Sequence, residues 1–154
     1  MLTLTKKVDY ALIAIHFIAS QEEGFVANTK TLSSSYNIPL EMLAKILQQL
    51  VKEGMIVSQS GPRGGYLLAK ELSHISVGEV IRATEGPIYF VHCADGDHVC
   101  SQMEQCVVKS PLQMVGDKIV AFLDTITLDQ LYHENLSRRF LEVPRSLSPK
   151  GAVC

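Results

Sequence analysis

The sequence lacks two features that would send the protein into or across a membrane. Its 154 residues contain no run of about 18 apolar residues, the length that a transmembrane helix requires. The N-terminus carries Lys6 and Lys7 but no apolar stretch that ends in small residues, so no secretion signal is predicted. We therefore expect a cytoplasmic protein without a membrane partner, whose thiols stay reduced.

The chain also lacks a strong net charge. Its formal net charge is -2 at pH 7, which argues against a polybasic coat for nucleic acid. With 47% hydrophobic and 19% charged residues, the chain can bury one proper core. We therefore expect one globular domain with an accessory segment.

Cysteine is scarce but clustered, because three of the four cysteines lie at positions 93, 100 and 106. The intervals hold six and five residues, and the Asp and Gly residues of the first interval predict a loop. A loop can direct three soft thiolates to one centre, which suits an iron-sulfur cluster, zinc or copper(I). The paired C-x2-C knuckles of structural zinc sites are absent. A disulfide pair with one spare thiol, or three unrelated buried cysteines, stay open as alternatives.

Hydrophobic periodicity and capping residues predict three helices in the first half of the chain. They cover residues 5–20, 28–35 and 39–54, with a short strand at residues 25–27. The first helix is apolar over most of its surface, so we expect it to be largely buried. Pro39 suits the first position of the third helix. The last two helices and their tight turn form a helix-turn-helix, whose second helix offers its N-terminal residues to a DNA major groove.

A hairpin is predicted directly after these helices. Residues 55–60 and 65–69 predict two strands, and the Gly- and Pro-containing turn at residues 61–64 joins them. An ordinary surface hairpin is the alternative, but the three preceding helices favour the wing of a winged helix-turn-helix. The residues expected to meet base edges face outward at the start of the third helix: Glu41, Met42 and Lys45. The residues expected to meet phosphate or the minor groove are Lys6, Lys7 and Arg63.

The second half of the chain predicts a helix opened by the capping box of Ser76 and Glu79, and then a long helix over residues 110–126. The long helix carries apolar residues at coiled-coil steps: Leu112, Val115, Ile119, Phe122 and Ile126. We interpret this seam as a homodimer interface, and an intramolecular core helix is the alternative. Two recognition helices related by a twofold axis would read a palindromic operator in double-stranded DNA. A second capping box, of Thr127 and Gln130, begins a short helix to about Leu136.

The predicted fold class is therefore mainly α with a small β-hairpin wing, followed by a long dimerisation helix. The expected organisation is a DNA-binding domain at residues 1–86, a cysteine-rich cluster-binding loop at 87–107, dimerisation and terminal helices at 108–136, and a disordered tail at 137–154 that contains Cys154.

Several segments carry a resemblance to a known family: residues 4–12 (LTKKVDYAL), 61–69 (GPRGGYLLA), 75–81 (ISVGEVI), 122–128 (FLDTITL) and the three-cysteine loop. Together they resemble the Rrf2 family of bacterial regulators, of the IscR, NsrR and RirA types, over residues 1 to about 133. The resemblance implies a homodimeric winged-helix transcription factor. Each subunit would hold an iron-sulfur cluster, either 4Fe-4S or 2Fe-2S, whose state alters DNA binding.

The same resemblance implies that Cys93, Cys100 and Cys106 are cluster ligands. One branch of the family takes its fourth ligand from a histidine three residues after the last cysteine, where this chain has Lys109. Another branch uses an aspartate in the first helix of the other subunit, and Asp9 stands at the matching position. The rivals of Asp9 lie within the loop: His92, His98 and Glu104.

The expected function is that of a cluster-dependent transcriptional regulator, a repressor by resemblance, that senses cluster supply, iron, nitric oxide or oxidants. The alternative is a thiol redox or zinc-stabilised winged-helix regulator without iron. We expect no enzyme, because no cysteine stands at a recognisable helix N-terminus beside a placed base and general acid.

Overall fold

A computed structural model of the protein describes residues 3–21, 26–62, 64–91 and 105–133. Within these ranges the α-helices are α1 (Lys6–Ala19), α2 (Thr29–Tyr36), α3 (Leu40–Lys52), α4 (Val77–Glu85), α5 (Lys109–Thr125) and α6 (Leu128–Tyr132). The antiparallel strands β1 (Ile56–Gln59) and β2 (Gly65–Leu68) form the hairpin, and a 3-10 turn covers Leu72–His74. The predicted fold class, mainly helical with a small hairpin, is confirmed.

The core of the molecule lies between α1, α3 and α4. These three helices contact one another, and α1 also contacts β2. The inward face of α3 is fully buried, as its periodicity predicts: Leu43, Ile46, Leu47 and Leu50. The buried residues of α1 are Val8, Ala11, Ala14, Ile15 and Ile18. Because α1 is covered along most of its length, the prediction of a largely buried first helix is confirmed.

The turn between α2 and α3 has the local chemistry of a helix-turn-helix. The side chain of Asn28 caps α2 by accepting from the N–H of Lys30 at 2.8 Å. Asn37 ends α2 in the left-handed conformation, with φ 52°. Pro39 has ψ 126°, an extended value, so helical dihedrals begin at Leu40. The prediction that Pro39 is the first helical residue is therefore wrong by one position, since it serves as the N-cap.

The hairpin is short and regular. Ile56 pairs with Leu68, and Gln59 pairs with Gly65. A third segment joins the hairpin at one point, where Ala27 and Tyr66 exchange backbone hydrogen bonds of 3.1 and 2.9 Å. The strand predicted at residues 25–27 reduces to this bridge among the described residues, and Phe25 lies outside them. Gly65 packs so close to the Ala27 carbonyl that a Cβ at position 65 would collide with it.

Both predicted capping boxes are present, and they face each other. Ser76 accepts from the N–H of Glu79 at 3.1 Å, and the Glu79 carboxylate accepts from the N–H of Ser76 at 2.7 Å. Thr127 and Gln130 make the same exchange at the start of α6. The N-terminal ends of α4 and α6 are joined by an antiparallel bridge between Ser76 and Thr127. This bridge fixes the end of α5 and the start of α6 to the start of α4.

Glu79 remains charged in this position. Partial burial works to raise the pKa of Glu79, but the hydrogen bond from the backbone N–H of Ser76 and the nearby ammonium of Lys70 outweigh it. The net pKa therefore lies below its ordinary value. The Lys70 Nζ atom is 3.5 Å from the Glu79 carboxylate.

Helix α6 returns the chain to α1. The hydroxyl of Tyr132 donates a hydrogen bond of 2.7 Å to the carbonyl of Leu12, and the Tyr132 ring lies edge-on to His16. Burial raises the pKa of Tyr132, so the hydroxyl stays protonated and keeps donating. The helix ends at Tyr132, whereas the sequence predicts an end near residue 136; residues 134–136 lie outside the described ranges.

Among the helices that the structure describes, α4 is the one that packs along a side of α5. Arg82 of α4 makes two hydrogen bonds to the Asp124 carboxylate, of 2.8 and 3.1 Å. Gly116 is the residue of α5 that is fully buried, among those that the structure describes. No helix in the described ranges is both long and apolar enough to cross a lipid bilayer.

Candidate nucleic-acid interface and metal centre

The outward face of α3 carries the residues that the sequence predicts to meet base edges. Glu41, Met42 and Lys45 are all exposed, while the opposite face of the helix is buried in the core. A carboxylate accepts from the amino group of cytosine, and a lysine donates to guanine. The exposure agrees with the prediction. The contacts of these side chains with DNA stay a prediction.

The exposed polar face of α3 extends beyond the three residues that the sequence predicts to meet base edges. Gln48 and Lys52 are exposed and follow Glu41 and Lys45 at helical spacing. Gln48 offers an amide that pairs with adenine through two hydrogen bonds, and Lys52 adds a positive charge. The signal was available in the sequence, since positions 41, 45, 48 and 52 share one face of a 3.6-residue period.

The wing has a tight, glycine-dependent tip. Gly61 has φ 126°, and its carbonyl accepts from the N–H of Gly64 at 2.9 Å. A Cβ at position 64 would lie 2.6 Å from the Gln59 carbonyl oxygen, so a side chain there would force the turn apart. Arg63, which the sequence places at the tip, lies outside the described residues. Its predicted role at phosphate or the minor groove therefore stays a prediction.

The two lysines at the start of α1 have different surroundings. Lys6 is exposed. The Nζ atom of Lys7 lies 3.7 Å from the Glu85 carboxylate, which also accepts a 2.5 Å hydrogen bond from the hydroxyl of Thr5. Sequence reasoning missed both contacts, because Glu85 is 80 residues from Thr5 and nearly as far from Lys7. An exposed ion pair contributes about 0–1 kcal/mol, so it does not prevent Lys7 from meeting a phosphate.

The described part of the cysteine segment is its end. Cys106 is half-buried with a free thiol, a few residues before α5 begins at Lys109. Cys93 and Cys100 lie outside the described residues, as do the rival ligands His92, His98 and Glu104. Among the described residues, no three Cys, His, Asp or Glu side chains converge as metal ligands. The assignment of the three cysteines as ligands therefore stays a prediction.

Asp9 lies where a carboxylate is accessible to a second molecule. It is exposed in the first turn of α1, and its carboxylate makes no hydrogen bond or ion pair with the residues that the structure describes. An acidic side chain in the first turn suits the positive end of the α1 dipole. Three thiolates with one such carboxylate form a donor set that iron accepts, with the carboxylate as the harder and more exchangeable ligand.

The segment that leads into the cysteines is anchored on α5. Helix α4 ends at Gly86, whose φ of 83° suits glycine, and the chain then passes over α5. Phe90 packs directly on Gly116, since a Cβ at position 116 would lie 2.7 Å from the Phe90 Cβ. The described residues before the cysteines thus pack on α5, and the residues after Cys106 lead directly into the same helix.

The chain is similar to known transcriptional regulators over most of its length. The family model Rrf2, described as an iron-dependent transcriptional regulator, matches residues 4–134. The HTH-type transcriptional regulator IscR of Escherichia coli is 34% identical over 128 residues, which cover 83% of this chain and 78% of IscR.

Solved structures show the same fold. The global cysteine regulator CymR of B. subtilis superposes with a TM-score of 0.67 at 27% identity, over 85% of this chain and 96% of CymR. IscR of T. potens superposes with a TM-score of 0.64 at 25% identity, over 97% of this chain and 94% of that protein. Because the family model covers most of the chain and the fold is that of its winged-helix members, the protein belongs to the Rrf2 family of DNA-binding transcriptional regulators, which are not enzymes.

Proposed function

We propose that this protein is an iron-sulfur-dependent transcriptional repressor that acts as a cytoplasmic homodimer on a palindromic operator. The observation that carries the proposal is the three-cysteine segment, which leaves α4 against α5 and leads back into α5 through Cys106. The similarity to IscR and the description of the family as iron-dependent support it.

In this proposal Cys93, Cys100 and Cys106 hold the cluster, and Asp9 of the partner subunit completes the ligand set. Thiolates bind iron strongly, whereas a carboxylate exchanges more readily, and an exchangeable ligand leaves one position open to a small reactive molecule. When bound, the cluster supplies a centre that responds to iron supply, nitric oxide or oxidants. The accessible carboxylate of Asp9 and the free thiol of Cys106 are compatible with these roles.

The remaining residues have roles in DNA binding. Glu41, Met42 and Lys45 are proposed to read base edges, and Lys6, Lys7 and Arg63 to contact phosphate or the minor groove. The exposed apolar face of α5 is proposed to pair with its copy in a second subunit. Such pairing would relate two α3 helices by a twofold axis, and a palindrome matches that symmetry.

A second candidate function is a thiol redox or zinc-stabilised regulator without iron. It is favoured by the similarity to CymR, the global cysteine regulator of B. subtilis. Clustered thiols would then respond by oxidation, or they would bind zinc as a structural ion.

Anaerobic purification separates these functions. An iron-sulfur protein is expected to be coloured, to contain acid-labile sulfide and to bleach in air. A zinc protein or a metal-free thiol protein is colourless and contains no labile sulfide. Colourless protein, purified anaerobically from cells with ample iron and found to be folded, would contradict the proposal.

The fourth ligand has its own test. Asp9→Ala is expected to remain dimeric and to alter or lose the visible spectrum, because the variant removes one iron ligand and no apolar contact. His98→Ala is the matched control within the loop, and it should keep the wild-type spectrum. The opposite pattern, an unchanged spectrum for Asp9→Ala and a lost one for His98→Ala, would mean that the loop supplies its own fourth ligand.

A further inference from the structure

Leu40 is an apolar residue of α3 that is exposed in the described structure. By spacing it belongs to the same stripe as Leu43, Leu47 and Leu50, so the pattern alone places it in the core. The other three are 0% exposed, whereas Leu40 is 45% exposed. Ile38, two residues before Leu40, is 2% exposed and belongs to the core at this end of α3, whereas Leu40 lies outside it.

The exposed end of α3 is the end that faces DNA in this fold. In a helix-turn-helix the N-terminal residues of the second helix contact base edges in the major groove. Side chains on a helix also point back toward its N-terminus, so the Leu40 side chain extends beyond the first turn. Pro39 precedes it as an exposed N-cap and does not cover it.

The chemistry of Leu40 selects one target on the base edges. Its neighbours Glu41 and Lys45 can make hydrogen bonds with the polar atoms of the groove, but a leucine cannot. The C5 methyl of thymine is the apolar group that the major groove presents. We propose that Leu40 reads one thymine in each half-site of the operator through contact with this methyl group, an inference that rests on the proposed operator binding.

The test compares thymine with uracil, which differs from it only by the methyl group. Duplexes are first enriched from a random DNA library with the anaerobically purified full-length protein. Each thymine of the enriched duplex is then replaced in turn by uracil, and dissociation constants are measured. Wild-type protein should bind about fourfold more weakly at one position per half-site, the loss expected from one buried methyl group.

Two variants connect this loss to Leu40. In Leu40→Ala the thymine and uracil duplexes should bind equally at that position, while penalties elsewhere stay as in the wild type. Leu131→Ala is the matched control, because Leu131 is a 38% exposed leucine on α6 and not on the helix proposed to read bases, and it should keep the full uracil penalty.

Three outcomes would overturn the inference. The first is wild-type protein that binds the uracil and thymine duplexes with equal affinity at every position. A uracil penalty of the same size in Leu40→Ala and in the wild type would assign the methyl contact to another residue. A library without any enrichment would overturn the proposed operator binding itself, and with it this readout, so the two failures are distinguishable.

Discussion

Helices α3 and α5 have similar apolar patterns but opposite surroundings. In α3 the residues Leu43, Leu47 and Leu50 are 0% exposed. In α5 the seam residues Leu112 and Val115 are 43% and 42% exposed. The difference arises because α3 is enclosed by α1, α2, α4 and the hairpin, whereas α5 contacts α4 along one side.

The comparison shows that periodicity identifies an apolar face but not what covers it. The apolar face of α3 is buried within one subunit, and this burial explains why its residues are apolar. The described part of the chain leaves the α5 face open, together with exposed apolar residues at its start such as Val107 and Val108. Large exposed apolar faces are uncommon on isolated proteins, and this one agrees with the homodimer that we propose.

The largest expected effect is on folding. Leu47→Ala should lower the free energy of unfolding by about 2–5 kcal/mol, because it leaves a cavity in a closed core. Urea unfolding measures this loss, which should be the same at every protein concentration. Leu112→Ala is the matched control in α5, and its smaller effect should vary with protein concentration, as expected where association and folding are linked. If both variants lost the same free energy of unfolding at every protein concentration, the apolar faces of α3 and α5 would not differ in what covers them.

A charge on the open face of α5 tests what covers it. Val115→Lys should weaken dimerisation by at least about a hundredfold, because an unpaired charge would be buried in the seam. Met114→Lys places the same charge about 100° around the helix and should leave the dimer intact. Sedimentation velocity distinguishes the two variants. Val115→Lys that stays fully dimeric at low micromolar concentration would exclude the seam as the interface.

The buried side of α5 gives a smaller effect. Gly116→Ala improves helix propensity by up to about 1 kcal/mol but crowds the Cβ of Phe90, and overpacking costs about 1–3 kcal/mol. We therefore expect a net loss of stability of up to about 2 kcal/mol in thermal or urea unfolding.

The double variant provides the control for this effect. In a Phe90→Gly background the collision disappears, because glycine has no Cβ, and Gly116→Ala should become neutral or stabilising. If Gly116→Ala destabilises both backgrounds equally, the packing of Phe90 on α5 does not explain why position 116 is glycine.

Local signals explain most of what the sequence predicts correctly. The capping boxes at Ser76 and Thr127 depend on hydrogen bonds between residues three positions apart, so they are visible without a fold. The same holds for the Asn28 cap and for the hairpin turn. The predicted start of α3 is wrong by one residue, because Pro39 is acceptable both as the N-cap and as the first helical residue.

Other features depend on contacts that sequence spacing does not contain. The contact of Glu85 with Thr5 and Lys7 joins residues about 80 positions apart. The exposure of Leu40 does not follow from its spacing, because Ile38 rather than Leu40 belongs to the core at the start of α3. For the metal centre, residue type and clustering predict the ligands Cys93, Cys100 and Cys106, but their arrangement in space does not follow from spacing alone.

The most direct test of the proposed function is the iron and acid-labile sulfide content of cysteine variants purified anaerobically. Cys93→Ala, Cys100→Ala and Cys106→Ala should each lose most of the iron and sulfide found in the wild type, because each removes one thiolate ligand. Cys154→Ala removes a thiol outside the cysteine segment and should keep both at wild-type levels. Loss of iron from Cys154→Ala as complete as from Cys100→Ala would contradict the assignment of the cluster to this segment.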